Sequence, residues 1–268
     1  MYSLLALLNL LSPKERSSHR VARDVRYGPH RRQSADIYAP RTAGTWPVIY
    51  FLYGGSWNLG DRRYYEFAGR ALAAAGFVVV IADYRLVPDV EYPVFLEDCA
   101  LGFSWALQHV AEYGGDPTRA ALMGHSAGAY NAMMLLLHPD LLPRMGLTDR
   151  VRAIVGLSGP YDFYPFDVPT SLRTFGAVPD PKSTQPVNLV RTGLPPIFLG
   201  TGDGDTLVYP RNSIALAAKL REAGGEVVER RYQGVGHAGA LLAFGIFNRH
   251  RAPVLAEIVS FLRETLGR

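Results

Sequence analysis

Cysteine is nearly absent from this sequence, which has one such residue, Cys99, among 268. A single cysteine excludes an intramolecular disulfide, and it excludes zinc or iron–sulfur sites built from several thiolates. We therefore expect a reducing compartment and a cytoplasmic location. Internal repeats and low-complexity tracts are absent too, which argues against a solenoid or fibrous protein.

A long apolar segment is also missing. The most apolar stretch, Met1–Leu11, contains six leucines, but it is far shorter than the roughly 20 residues that cross a bilayer as a helix. Basic residues follow this stretch instead of preceding it, which is the reverse of the order in a signal peptide. We predict a short helix packed on the domain, with an interfacial membrane anchor as the alternative.

Acidic residues are slightly outnumbered, 24 against 28 lysines and arginines, which gives a net charge of +4. The excess is local, because Lys14–Arg32 holds seven basic and two acidic residues and the rest of the chain has a net charge of −1. The rest of the chain therefore carries no excess of positive charge that would attract nucleic acid or an anionic membrane. We expect neither partner, and we expect this basic segment to be a solvated flank of a lid.

Hydrophobic residues make up 48% of the chain and charged residues 19%, enough for one folded α/β domain with a substantial core. Short apolar runs predict strands at residues 48–52, 78–82, 120–123, 151–157, 196–199 and 227–232. Segments of helical length and spacing alternate with them at residues 64–75, 94–113, 127–137, 210–223 and 253–266. This order predicts a mostly parallel, doubly wound sheet with helices on both faces.

Glycine-rich segments follow several of the predicted strands. Tyr53–Trp57 follows the first strand, Gly124–Gly128 the third and Gly202–Asp205 the fifth, while Gly234–Gly239 comes after the last. In sheets of this kind, ligands bind at the carboxyl ends of the strands. We therefore expect the functional site to lie in these loops.

Gly124-His125-Ser126-Ala127-Gly128 fits the pattern G-x-S-x-G between a predicted strand and a predicted helix. In that pattern the serine sits on a cramped turn, and the flanking glycines permit close backbone approach. A serine hydroxyl is a weak nucleophile at neutral pH, so it needs an open position beside a base and beside donors for an oxyanion. Ser126 is the predicted nucleophile; the alternative is an ordinary helix N-cap between two packing glycines.

His237 is the strongest of seven histidines as the base, because it lies between glycines shortly before the C-terminal helix. That position gives the chain order serine, aspartate, histidine. His19, His30 and His250 lie in basic, exposed segments, His109 and His138 belong to predicted helices, and His125 is the variable residue of the turn. The orienting acid is Asp205 or Asp203; we prefer Asp205 and expect Asp203 to be a turn residue.

Tyr53-Gly54-Gly55-Ser56-Trp57 supplies candidate oxyanion donors. Small residues directly after a strand let backbone N–H groups point into a site, where they can stabilise the negative oxygen of a tetrahedral intermediate. The predicted donors are the amides of Gly55, Ser56 and Ala127. The alternative is an ordinary glycine turn.

With further short motifs, these segments resemble the α/β-hydrolases, and within them the carboxylesterases similar to hormone-sensitive lipase and to the feruloyl and acetyl-xylan esterase-like group. The resemblance covers about residues 35–266 and rests on Asp36–Pro40, Tyr53–Trp57, Asp83–Pro88, Glu97–Asp98, Gly114–Pro117, Gly124–Gly128, Ser158–Asp162, Asp205 and His237. It implies the α/β-hydrolase fold with a small cap and hydrolysis of carboxylic esters without cofactor or metal. It also implies that Ser126 is the nucleophile, His237 the base and Asp205 the acid.

The oxyanion loop departs from that family's usual pattern. The family's loop generally begins with histidine and continues with two or three glycines, whereas here Tyr53 replaces the histidine and Ser56 the third glycine. Backbone amides can still donate, but Tyr53 must find a bracing partner of its own. By the same analogy, Asp83, Arg85 and Asp98 are expected to tie loops together beneath the site.

Two regions are predicted along the chain. Residues 1–34 comprise the N-terminal helix and the basic segment, expected to form part of a lid, and residues 35–268 form the catalytic domain with a cap inserted at about 160–194. The cap region is rich in aromatic residues and proline, which can line an acyl pocket: Tyr161, Phe163, Tyr164, Pro165, Phe166 and Phe175. A leucine-rich lid segment of only about eleven residues favours short acyl groups.

The sequence therefore predicts a serine carboxylesterase that hydrolyses short-chain esters through an acyl-enzyme. One alternative is an amidase of the arylformamidase type with the same triad, and another is a non-catalytic binding protein of the same fold. A nucleic-acid or membrane-surface protein is supported only by Lys14–Arg32. The expected partner is a small-molecule ester, and the expected assembly is a monomer or homodimer.

Overall fold

A single eight-stranded sheet organises the computed structural model, which describes residues 4–267. Its strands are β1 (Ser18–Arg26), β2 (Ser34–Pro40), β3 (Trp46–Leu52), β4 (Val78–Ala82), β5 (Gly115–His125), β6 (Val151–Leu157), β7 (Ile197–Gly202) and β8 (Val227–Tyr232). The spatial order is β1-β2-β4-β3-β5-β6-β7-β8. Strands β3 to β8 run parallel, while β1 pairs antiparallel with β2 and β2 antiparallel with β4.

The helices cover the sheet between its strands. They are α1 (Leu4–Leu11), α2 (Glu66–Ala74), α3 (Val94–His109), α4 (Ala127–Leu137), α5 (Pro169–Phe175), α6 (Arg211–Glu222), α7 (Gly239–Leu242) and α8 (Val254–Leu266). The six predicted strands and five predicted helices are all present, and the prediction of a mostly parallel α/β sheet is confirmed. Strand β4 is buried at every position, and β3, β5 and β6 are buried over their carboxyl-terminal halves, because helices cover both faces of the sheet.

Strands β1 and β2 are absent from the prediction. Strand β1 has four charged residues in nine positions and only one fully buried residue, as suits an edge strand, so it carries no continuous apolar run. It lies within the basic segment and pairs with β2 across the boundary predicted at residue 34, with Ser18 opposite Pro40 and Arg26 opposite Ser34. Much of the basic segment therefore belongs to the sheet.

Helix α1 packs beside the start of α2. The short helix was predicted within residues 1–11, of which residues 1–3 lie outside the described residues. The Asn9 side chain donates to the carbonyl of Arg63 and accepts from the amide of Phe67, both at 3.0 Å. The second bond satisfies a first-turn N–H of α2, which has no intrahelical acceptor. Between residues 4 and 267 no helix combines the length and the apolar character needed to cross a membrane.

The carboxyl ends of four neighbouring strands meet at one edge of the sheet. The pairing register places Leu52 beside Gly124, His125 beside Leu157, and Leu157 beside Gly200. The loops after β3, β5, β6 and β7 therefore emerge next to one another, as expected for a ligand site of a parallel sheet.

Candidate active site

Ser126 lies on a sharp turn between β5 and α4. Its backbone has φ 55° and ψ −125°, a conformation that L residues rarely adopt. The turn fits only because both flanking residues are glycines: a Cβ on Gly124 would lie 2.1 Å from the Gly128 carbonyl oxygen, and a Cβ on Gly128 would lie 2.0 Å from that of Leu52. The Ser126 amide donates to the Leu157 carbonyl at 2.8 Å, which ties the turn to the neighbouring strand.

His237 and Asp205 reach this serine from the loops after β8 and β7. The His237 ring lies 2.8 Å from Asp205 Oδ2 through Nδ1 and 2.8 Å from Ser126 Oγ through Nε2. A carboxylate can only accept, so Nδ1 carries the proton and Nε2 accepts from the serine hydroxyl. Asp203 has a different contact, since its Oδ1 accepts from the Gly234 amide at 2.7 Å.

Asp205 is held as an anion by the donors around it. Burial on its own would raise the pKa of this carboxyl, but the hydrogen bonds from His237 and from the amides of Val208 and Leu207 lower the pKa below its usual value. The Asp205 side chain is fully buried, whereas His237 retains 16% exposure. The arrangement can move a proton from Ser126 Oγ to His237 and stabilise the resulting imidazolium.

Two of the three predicted oxyanion donors, Ser56 and Ala127, line the same cavity as Ser126. Within residues 4–267, the amides of Gly55, Ser56 and Ala127 make no hydrogen bond, but Gly55 is not among the residues that line the cavity. The loop of Gly55 and Ser56 lies against the turn, because a Cβ added to Gly54 would be 2.8 Å from Ser126 Cβ.

The cavity beside Ser126 has a volume of about 340 Å³. Its walls come from the loop after β3, the segment 160–171 and the segment 206–212. Trp57 and Phe163 stack there with ring centroids 6.0 Å apart, and the Trp57 indole donates to Asn131 Oδ1 at 3.0 Å. In the part of the chain that the structure describes, no group of three His, Cys, Asp or Glu side chains could hold a metal ion.

The aromatic residues of the segment 160–194 occupy three kinds of environment. Phe163 faces the cavity, while Tyr161 and Phe175 are fully buried in the core and Tyr164 is 45% exposed. Asn212 fixes the start of this segment, since its Oδ1 accepts from the amides of Tyr161 and Asp162 at 2.9 Å. Asn212 carried no signal in the sequence, because a lone asparagine in a helix matches no motif.

His125 is the second residue at the site whose contact sequence reasoning missed. Its Nε2–H donates to the carbonyl oxygen of His237 at 3.1 Å, so it links the turn of Ser126 to the loop of His237. Burial, followed by the neighbouring His237, lowers the pKa of His125 to about 3. The residue was expected only to pack beside Ser126, because the variable position of the motif carries no chemical signature.

The acidic residues expected to tie loops together do contact such loops. Asp98 accepts from the Arg85 side chain at 2.7 and 2.8 Å and from Gln33 at 2.7 Å. Asp83 accepts from the Arg62 amide at 2.9 Å and pairs with the Arg62 side chain. These bonds connect the β1–β2 loop, the loop after β4 and helix α3.

The chain matches a known protein family over much of its length. Residues 35–220 match the family described as BD-FAE. Among curated proteins, the chain is similar to a probable isoprenylcysteine alpha-carbonyl methylesterase, ICMEL1 of Oryza sativa subsp. japonica, with 30% identity over 91% of this chain and 63% of that protein. It is also similar to the esterase LipQ of Mycobacterium tuberculosis (strain ATCC 25618 / H37Rv), with 29% identity over 99% of this chain and 67% of that protein. The chain thus spans less than two thirds of the rice protein's length.

Several solved structures share the architecture. Esterase B from Lactobacillus rhamnosis superimposes with a TM-score of 0.84 at 18% identity, over 98% of this chain and 90% of that chain. A truncated form of a carbohydrate esterase from gut microbiota gives a TM-score of 0.80 at 20% identity, over 96% of this chain and 100% of that chain. These matches confirm the α/β-hydrolase fold predicted from the sequence.

Proposed function

Because the chain belongs to the BD-FAE family, we propose that it is a serine hydrolase that cleaves carboxylic esters through an acyl-enzyme. The observation that carries the proposal is the chain of two 2.8 Å hydrogen bonds from Ser126 through His237 to Asp205, at the wall of a cavity. The relatives named as esterases support the same chemistry.

Acylation begins when Ser126 Oγ attacks the ester carbonyl carbon and His237 Nε2 takes the hydroxyl proton. The carbonyl π electrons move to oxygen, where the amides of Gly55, Ser56 and Ala127 stabilise the negative charge. Asp205 stabilises the imidazolium through Nδ1–H. Collapse of the intermediate breaks the bond to the alkoxy oxygen, and His237 returns the proton to the leaving alcohol.

Deacylation repeats these steps with water as the nucleophile. His237 takes a proton from water, the hydroxide oxygen bonds to the acyl carbon, and the same three amides receive the second oxyanion. The bond to Ser126 Oγ then breaks, and the proton on His237 restores the serine hydroxyl. The products are one carboxylic acid and one alcohol, and the protein is unchanged.

Small esters with short acyl groups are the substrates we propose. A cavity of about 340 Å³ with Trp57 and Phe163 in its wall offers room for a compact acyl group, near the lower end of the volumes of ligand pockets. The segment 160–194 acts as a cap in this proposal, since Phe163, Val168 and Ser171 come from it and border the cavity.

The test uses the purified chain with p-nitrophenyl esters of two to twelve acyl carbons and a fluorophosphonate probe. We expect hydrolysis that decreases with acyl length, and covalent labelling of Ser126. Ser126→Ala should lower kcat by about 10⁴-fold or more and abolish labelling, with an unchanged circular dichroism spectrum.

Other results would lead to different assignments. Faster hydrolysis of N-formylkynurenine than of any ester would indicate an amidase. Absence of labelling and of hydrolysis in the wild type would indicate a binding protein. Full activity of Ser126→Ala would overturn the proposed nucleophile.

A further inference from the structure

The loop that offers Gly55 and Ser56 has a strained backbone. Three consecutive residues have positive φ values: Gly55 at 137°, Ser56 at 50° and Trp57 at 60°. Two of these are not glycine, and such conformations persist only where the surrounding structure holds them. The loop closes on itself through the Gly55 carbonyl, which accepts from the amides of Asn58 at 3.1 Å and Leu59 at 2.9 Å. Bonds within the loop do not fix it relative to Ser126, so its position depends on contacts with other elements, among them the bond from the Trp57 indole to Asn131 in α4.

Arg32, in the loop between β1 and β2, holds both ends of residues 53–60. Its Nη2 donates to the Tyr53 hydroxyl at 2.6 Å and to the Gly60 carbonyl at 2.9 Å. Its Nε donates to the carbonyl of Tyr84 at 2.8 Å, which anchors the guanidinium to the chain after β4. The side chain is 19% exposed, so these bonds are shielded from solvent.

Tyr53 transmits this support to the backbone. Its ring is fully buried and stacks on Tyr84, with centroids 5.0 Å apart and planes 19° apart. The Tyr84 hydroxyl in turn donates to the Tyr53 carbonyl at 2.8 Å. Burial, followed by the nearby Asp83, keeps the pKa of Tyr53 well above its usual value, so the phenol stays neutral and accepts from Arg32. Displacement of the Tyr53 ring would therefore move the peptide that leads to Gly55.

We propose that Arg32 is a positioning residue that sets the location of the oxyanion donors through Tyr53 and Gly60. This inference rests on the proposed function. It identifies the bracing partner that Tyr53 requires in place of a histidine. An arginine suits this role because a rigid planar fork can bond three acceptors at once, whereas a lysine ammonium is one point on a flexible stem.

The variants Arg32→Gln, Arg32→Lys and Tyr53→Phe test this role, and Arg31→Gln is the matched control. Arg31 lies in the same loop, and in the described structure its side chain makes no hydrogen bond or ion pair with residues 53–60. We expect Arg32→Gln to lower kcat by about 10- to 100-fold, less than or comparable to loss of one oxyanion donor. The KM should change by less than about 3-fold, because ground-state binding does not use these amides. Arg32→Lys and Tyr53→Phe should lie between Arg32→Gln and the wild type.

A transition-state analogue separates positioning from general damage. A trifluoromethyl ketone adds Ser126 Oγ to its carbonyl and places an oxyanion on the loop, so its inhibition constant should rise by the factor by which kcat/KM falls. Inhibition by the product acid should be unchanged. The acid limb of the kcat/KM pH profile should also stay in place, since it reports the triad.

Each remaining outcome decides between the two proposals. If the wild type depends on Ser126 but Arg32→Gln matches the wild type in kcat and analogue inhibition, the positioning role is wrong and the proposed function stands. A rise in KM alone, or a loss of kcat without weaker analogue binding, also overturns the role of Arg32. Should Arg32→Gln fail to fold, Tyr53→Phe gives the same readout with Arg32 retained. Full activity of Ser126→Ala overturns the proposed function itself.

Discussion

Two histidine rings lie 5.1 Å apart at the candidate site, and their environments assign them different chemistry. His237 contacts a carboxylate and a hydroxyl, whereas His125 has a carbonyl oxygen at Nε2 and, among the described residues, no partner at its buried Nδ1. A carbonyl cannot donate a proton, so Nε2 of His125 carries one, and the lowered pKa of His125 keeps the ring neutral. A neutral His125 places no second positive charge beside the imidazolium that forms on His237.

The lowered pKa of His125 predicts a loss of stability in acid. The unfolded chain binds a proton below a pKa of about 6.5, while the folded chain binds it only below about 3. Between these values the unfolded state holds one more proton, so the free energy of unfolding falls by about 1.4 kcal/mol for each pH unit of acidification. His125→Gln retains an N–H donor but cannot titrate. Urea titrations at pH 4 to 7 should therefore show a shallower decline for this variant, and equal slopes would contradict the assignment.

Spacing along the chain makes both Asp203 and Asp205 candidates for the acid that orients His237, because both lie within four residues of the end of β7. Only the fold determines which carboxylate faces His237: the Asp205 side chain points to Nδ1, and that of Asp203 turns to Gly234. No sequence pattern indicated the contacts of Arg32, because its three acceptors lie between 21 and 52 residues away in sequence.

Among the elements, the unit of β5, the turn at Ser126 and helix α4 was the easiest to predict. An apolar run at residues 120–123, a glycine-flanked serine and an alanine-rich helix are local signals, and each agrees with the others. Strand β1 shows the opposite case. Its charged residues give no apolar pattern from which a strand could be predicted. The strand forms because it pairs with the edge of β2, and that edge exists only in the assembled sheet.

Helix α4 lies so close to β3 that one methyl group added at Gly128 should lower the free energy of unfolding. Gly128→Ala would place a Cβ 2.0 Å from the Leu52 carbonyl oxygen, so strand or helix must shift. We expect a loss of about 1–3 kcal/mol in the free energy of unfolding, together with slower labelling of Ser126 by the fluorophosphonate probe.

Gly204→Ala is the matched control for this substitution. Its added Cβ would lie 3.4 Å from the Val235 carbonyl oxygen, which is an ordinary van der Waals contact. Its free energy of unfolding should stay within about 0.5 kcal/mol of the wild type. Similar urea midpoints for the two variants would show that the tight contact at Gly128 does not constrain the turn.

On the scale of the whole molecule, one buried arginine joins the antiparallel edge of the sheet to the parallel part. Arg62 pairs with Asp24 in β1, Asp36 in β2 and Asp83 after β4. Its side chain is 5% exposed, and that of Asp36 is fully buried. Removing one partner from a buried ion pair leaves an uncompensated charge, which costs more than the pair contributes.

Arg62→Met should therefore lower the free energy of unfolding by about 3–5 kcal/mol. Arg63→Met is the control, because Arg63 is 56% exposed and pairs only with Asp61 in the described structure. Because the Arg63 guanidinium lies largely in solvent, its pair contributes about 1 kcal/mol or less, and Asp61 keeps its bond from the Arg63 amide, so this variant should unfold near the wild type in urea. An equal loss in both variants would rule out a special role for the buried cluster.

The sequence by itself determined the order of the parallel strands and helices, the turn at Ser126 and the residue types that hydrolytic chemistry needs, because these depend on apolar periodicity and on short-range glycine patterns. The tertiary structure alone decided the antiparallel edge of the sheet, the partner of His237 and the bracing of the loop at Gly55. Those features depend on contacts between residues far apart in the chain, such as Arg32 with Tyr53 and Gly60. A local sequence pattern does not indicate which distant groups the folded backbone brings within hydrogen-bonding distance.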